Sequence, residues 1–284
     1  MKIGIEFKYD LVNIDANLKK FNNLKLIGFD AIDLDLSNTD NLFYTLEDEE
    51  FNKLINRIKT QIDESGLFIN QTHGPWICPP IKDYTTEGRK ERMEKMKKGI
   101  KITALLGVKY FVIHPIMPFG CDNIPLETYS DNFNMNIEYY TELTKYAESE
   151  NVIICYENMP FNGYPISKCS EILNVVKTIN SDNFKICLDT GHAMLMPDNS
   201  LKDSVRELNS LIKVLHVHDN DGKGDQHKFP GLGVINWQAF IDALKEINYD
   251  GVFSLETLPD KNLPEKEYLV ELQKLYDIAS NLIN

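Results

Sequence analysis

Short apolar runs, rich in Ile, Val, Leu and Phe and bounded by turn residues, recur along the whole chain. Eight of them read as strands, at residues 2–7, 29–36, 67–73, 109–115, 151–158, 184–190, 212–219 and 251–257. Near-continuous apolar character suits strands buried on both faces, as in a parallel sheet. Between these runs the period changes. The segment LEDEEFNKLINRIKTQIDESG sets Phe51, Leu54, Ile55, Ile58 and Ile62 at helical spacing. Glu47, Asp48 and Glu49 at its start suit the helix dipole, and Gly66 predicts its end. RKERMEKMKKGIKITALLG and WQAFIDALKEINYDG repeat the theme, with Asn236 the expected N-cap of a helix beginning at Trp237.

Strand and helix thus alternate eight times in 284 residues. At about 35 residues per unit, this is the size of a βα repeat with modest loops. The expected fold is α/β, a (β/α)8 TIM barrel spanning residues 1–284 as one domain. A doubly wound open sheet is the structural alternative. It would put its site at one switch point and leave polar residues at the ends of six strands unexplained.

Those polar residues carry the chemistry. In such a barrel the C-terminal strand ends converge on one mouth. His73, His114, Glu157 and Asp189 end strands three to six, His216, His218 and Asp219 close the seventh, and Glu256 belongs to the eighth. Asp189 is followed three residues later by His192. The six histidines, His227 included, all fall in or just after strand segments, beside carboxylates. Imidazole and carboxylate together are the donors of a divalent metal site. Any one of them alone reads more simply as a hydrogen-bonded rim residue. Jointly they need a cation, because crowded carboxylates cannot all stay ionised without one. The arginines, at positions 57, 89, 92 and 206, lie outside the strand ends. His216 and His218 are two apart and share a barrel face, so one can be a ligand and the other a supporting or substrate group. Asp225 and His227 sit in the loop HDNDGKGDQHKFPGLG, whose glycines predict a rim or lid. Trp76 is the better candidate for an aromatic platform, and Trp237 reads as helix core. Lys223 and Lys228 read as solvated loop lysines that could meet a phosphate.

The net charge of −13 disfavours nucleic acid as a partner. Five cysteines without paired spacing predict free thiols, a reducing compartment and hence a cytoplasmic location. MKIGIEFKYD is a strand pattern rather than a signal peptide. No apolar run approaches the ~18 residues of a membrane span.

The pieces THGPW, YENMP, CLDTGHA, HVHDNDGKGDQHKFPGLGVINW and SLET, in that order, resemble the xylose isomerase-like TIM barrel superfamily. This group contains sugar and sugar-phosphate isomerases and epimerases and is related to endonuclease IV. The resemblance covers essentially the whole chain. It implies one divalent cation (Mn2+, Zn2+, Co2+ or Mg2+) on Glu157, Asp189, His216 and Glu256, with His216 preferred over His218 because it stands three before Asp219. Glu157 and Glu256 would also act as acid and base, passing a proton through an enediolate. Substrate contacts would come from His192, Trp76, His73, His114 and His218. The expected substrate is a small sugar or sugar phosphate, and a homo-oligomer is compatible with the resemblance.

The resemblance also admits an endonuclease IV-like three-zinc phosphoesterase acting on abasic DNA. Its nine ligands would be His73, His114, Glu157, Asp189, His192, His216, Asp225, His227 and Glu256. The acidic charge, the missing loop arginines and the histidine-free opening strand depart from that pattern. A non-catalytic metal-binding barrel is a third reading, since one fold hosts many functions.

Overall fold

The computed structural model describes residues 1–76, 85–118, 126–196 and 200–284. Eight strands run β1 Lys2–Phe7, β2 Ala31–Asp35, β3 Phe68–His73, β4 Tyr110–Ile113, β5 Ile153–Glu157, β6 Phe184–Asp189, β7 Ile212–His216 and β8 Val252–Leu255. Each falls inside its predicted run, with ends trimmed by up to three residues. Eight main helices follow them: α1 Ala16–Ile27, α2 Asp48–Ser65, α3 Thr86–Leu105, α4 Leu126–Ser149, α5 Cys169–Ile179, α6 Leu201–Leu208, α7 Trp237–Glu246 and α8 Glu265–Ile283. A short helical turn, Thr190–Met194, directly continues β6.

The strands pair in the order β7-β6-β5-β4-β3-β2-β1-β8, all parallel. The ring closes between β7 and β8 at one bridge, Val217–Leu255. Two hydrogen bonds make it, Val217 N to Ser254 O at 2.8 Å and Glu256 N to Val217 O at 3.0 Å. Consecutive order with closure excludes the open doubly wound sheet.

Local rules account for the helices. On α2 the predicted stripe of Phe51, Leu54, Ile55, Ile58 and Ile62 is buried, Asp48, Glu49 and Glu50 occupy the first turn, and Gly66 caps it at φ 72°. Helix α3 starts three residues before its predicted segment, because the Thr85 hydroxyl accepts the Gly88 N–H at 3.0 Å. Asn236 caps α7 as expected, accepting from Ala239 N.

Outward strand residues such as Ile3, Ile5 and Phe7 pack with helix residues such as Phe21 and Leu24. Inside the barrel, Val112, Cys155, Cys187 and Val214 form a small separate cluster. A buried polar layer also crosses the barrel, where Asp33 accepts hydrogen bonds from Ser254, Gln71 (2.6 Å) and Asn70 (3.1 Å). That acid is fully partnered, and burial raises its proton affinity above the ordinary range. Cys155, Cys169 and Cys187 are free and buried, as expected of structural thiols. Among the described residues, no helix is long and apolar enough to cross a membrane.

Candidate metal centre

The strand ends bring the expected residues to one mouth. Glu157 and Asp189 end β5 and β6, His73 ends β3, and His216 ends β7. His114 and Glu256 stand one residue beyond β4 and β8, so the turn rather than the strand aims them. One donor atom from each of Glu157, Asp189, His216 and Glu256 lies within 4.8 Å of the others. His216 Nδ1 approaches Glu157 Oε1 at 3.1 Å and Glu256 Oε2 at 3.3 Å. His218 does not enter this set.

A second group surrounds it. His73 Nε2 and His114 Nε2 stand 3.5 and 3.2 Å from Glu157 Oε2. On the other side, His192 Nε2 and His227 Nε2 each stand 3.3 Å from Asp225 Oδ2. All nine residues of the larger set are therefore brought together, with Glu157 common to two groups.

The ring orientations are informative. His73 Nδ1 donates to Gly74 O at 3.0 Å, His192 Nδ1 to Asn158 O at 2.8 Å, and His227 Nδ1 to Glu256 O at 2.7 Å. A backbone carbonyl that takes the Nδ1 proton fixes the ring and turns Nε2 toward the mouth, the usual support of a metal-binding imidazole. Glu157 Oε2 and Glu256 Oε2 are buried with no hydrogen-bond partner among the described residues. Buried oxygens of that kind are costly unless something positive meets them. The donor set therefore fits a divalent cation.

The electrostatics agree. Burial alone would raise Glu157, yet His216 and His114 hold it well below the carboxylate range. Glu256 is lowered against burial by His216, and Asp225 by His192 and His227. Burial opposes charge on His192, but Asp189, Asp225 and Glu157 push it up to about 10. His227 reaches about 10 against the same opposition, through Asp225 and Glu256. Without a cation, protons on these rings balance the carboxylates.

A cavity of about 350 Å3 opens over these groups. Its outer wall is apolar, from Trp76, Met117, Met159, Pro160 and Phe161. Trp76 is 47% exposed and stacks near the His114 ring, with centroids 6.0 Å apart. Trp237 is core, as expected, and donates Nε1–H to Asp219 Oδ2 at 2.9 Å. Asp219 also takes N–H groups from Gly231, Gly233 and Ile235 at 2.9 to 3.3 Å, so it organises the glycine-rich loop. Lys223 and Lys228 do not line the cavity.

Two residues escaped the sequence reading. Arg92, on α3 and 4% exposed, lines the cavity and donates to His114 O at 3.2 Å. This corrects the expectation that no arginine reaches the mouth. Its faint signal is a place on the same buried helix face as Met93 and Met96. Glu6, near the end of β1, pairs in register with Asp33, one rung beyond the Ile5–Leu255 pair. Burial, then the charge of Glu256, raises it to about 7. The strand-end rule, extended to β1, would have found it.

The sequence profile described as "xylose isomerase-like TIM barrel" matches residues 21–278. The chain belongs to this family. An uncharacterized protein of Methanocaldococcus jannaschii is 32% identical, covering 70% of this chain and 69% of its own. A D-psicose 3-epimerase of Enterocloster bolteae is 26% identical over 90% of this chain and 82% of its own. A probable endonuclease 4 of Mycoplasma mobile is 27% identical, covering 68% and 70%. Among solved structures, a D-tagatose 3-epimerase-like protein superposes with TM-score 0.77 at 25% identity, covering 100% of this chain and 98% of its own. A structure of the IOLI protein with a bound zinc atom gives 0.75 at 22%, covering 99% of each, which speaks to the fold.

Proposed function

We propose that this barrel is a divalent-metal-dependent isomerase or epimerase of a small sugar. The observation that carries the reading is the convergence of Glu157, Asp189, His216 and Glu256, with buried oxygens on both glutamates that face imidazole nitrogens. The similarity to sugar epimerases supports it.

A divalent cation held by these four side chains would polarise a substrate carbonyl and acidify the adjacent C–H. Glu157 and Glu256 reach the site from β5 and β8, with His216 between them. One carboxylate takes the proton, and the other, protonated beforehand, delivers its own proton to the opposite face of the same carbon, which epimerises. Delivery of the proton by the same base to the neighbouring carbon, with the hydroxyl proton passed to the former carbonyl oxygen, isomerises instead. Both are held ionised, so either can begin as the base, and its partner takes up a proton from solvent before it can deliver one. Trp76 offers a ring face to the C–H surface of the sugar. His73, His114 and His192 present Nε2 toward substrate oxygens. Arg92 is the arginine that lines this cavity. One guanidinium is thin support for a dianionic phosphate, which favours an unphosphorylated sugar over a sugar phosphate. Buried free thiols support a reducing, cytoplasmic setting.

A second reading, a three-cation phosphoesterase, is favoured by the two flanking groups, His73 and His114 with Glu157, and His192 and His227 with Asp225. Metal content of chain purified without added metal or chelator, assayed beside ketose epimerisation, separates the two. About one Mn, Co, Mg or Zn per chain with epimer interconversion is the expected result. About three zinc with nicking of abasic-site DNA would replace it.

A further inference from the structure

His218 is fully buried and takes no part in the four-donor set. Its Nε2 lies 3.1 Å from Asp189 Oδ2, so the ring donates that N–H to the carboxylate. Its face lies against the His227 ring, with centroids 4.0 Å apart and planes tilted by 6°. Distance alone would let His218 share a cation with His227 and His192. The stack argues otherwise. An imidazole binds a cation in its own ring plane, and two near-parallel stacked rings with centroids 4.0 Å apart have no such position in common.

The surroundings are shaped to the ring. A Cβ on Gly191 would fall 2.0 Å from His218 Cε1, so only glycine leaves it room. Asn220 holds the Gly191 carbonyl at 2.8 Å, and Thr190 exchanges hydrogen bonds with the His218 backbone at 2.7 and 3.0 Å. The ring thus meets the turn after β6, the carboxylate that ends β6, and the loop that carries His227.

We propose that His218 is a positioning residue that fixes Asp189 through its N–H and braces His227 through its ring face, tying the 219–235 loop to the metal site. This rests on the reading of Asp189 as a ligand. Supports of this kind set ligand orientation, and their loss typically costs about 10- to 100-fold in metal affinity. The stack adds a second effect, since His227 without its brace leaves the substrate side of the mouth less ordered.

The test is Co2+ titration of the metal-stripped chain, followed by its visible spectrum, with kcat and KM on a ketose. His218→Leu removes donor and stack. His218→Gln keeps an N–H donor at similar reach. The leucine variant should lose roughly tenfold or more in Co2+ affinity. The glutamine variant should stay within about threefold of wild type in Co2+ affinity while KM rises. If the leucine chain does not fold, His218→Asn, polar but too short to reach Asp189, takes its place with the same expected loss. Wild-type affinity in the leucine or asparagine variant, or an equal loss in the glutamine variant, overturns the proposal. Failure of the wild-type chain to take up Co2+ at all would instead sink the metal reading beneath it.

Discussion

Asp219 and Glu157 are both fully buried carboxylates at the C-terminal end of the barrel, and their neighbours treat them in opposite ways. Asp219 is saturated by N–H donors from Asn220, Gly231, Gly233, Ile235 and the Trp237 indole. Glu157 faces four imidazoles, His73, His114, His192 and His216, and one of its oxygens has no hydrogen-bond partner. Backbone donors are permanent and uncharged, so an acid they surround is finished structure. Imidazoles can release their protons and accept a cation in exchange, so an acid they surround is incomplete. The kind of donor, more than the depth of burial, separates a scaffold acid from a working one.

The largest test of that distinction is Glu157→Gln. It should lower kcat by about 10³-fold or more while the melting temperature moves little, and Glu256→Gln should behave alike. Steady-state kinetics beside thermal melts check it, and full turnover in either variant would remove the proton-transfer roles. Asp219→Asn should show the reverse pattern. Its amide would turn N–H toward N–H, costing roughly 3 kcal/mol of stability by denaturant titration, with activity changed mainly through KM.

The smallest effect sharpens the comparison through pH. His192 and His227 are raised to about 10 in the metal-free chain, above the ordinary histidine value of 6.5. Their stabilising contribution is complete below about pH 6.5 and fades as pH rises through about 10. Melting temperature of the chelator-treated protein should therefore decline across that window, while apparent metal affinity increases. Melts with and without metal, from pH 6 to 10, would show it, and a flat metal-free profile would contradict it.

Much of this was legible in the chain. Strands buried on both faces read as apolar runs, and caps such as Asn236 and Gly66 mark helix ends by local chemistry. The strand-end rule found the acids and histidines of β3 to β8, because barrel geometry turns position along a strand into position in space. Glu6 was missed because β1 alternates inward Gly4 and Glu6 with outward Ile3, Ile5 and Phe7, the pattern of a half-solvated strand. Arg92 was legible at most as part of a buried helix face, because its reach from α3 to the His114 carbonyl is a tertiary fact. Parity put His216 and His218 on one face, but β7 ends at His216, and beyond it spacing no longer decides direction.

The seam of the barrel has a mechanical consequence. A cylinder fastened at one clasp slips there first, and this clasp is the Val217–Leu255 rung. His216 and His218 flank it on one side and Glu256 on the other, so slippage would displace the candidate donors His216 and Glu256 before it disturbed the opposite wall. A cation gripped by His216 and Glu256 would act as a rivet across the joint. Part of its binding free energy would then appear as resistance of the ring to opening, and amide exchange at Val217 and Glu256 would slow on metal loading more than anywhere else in the strands.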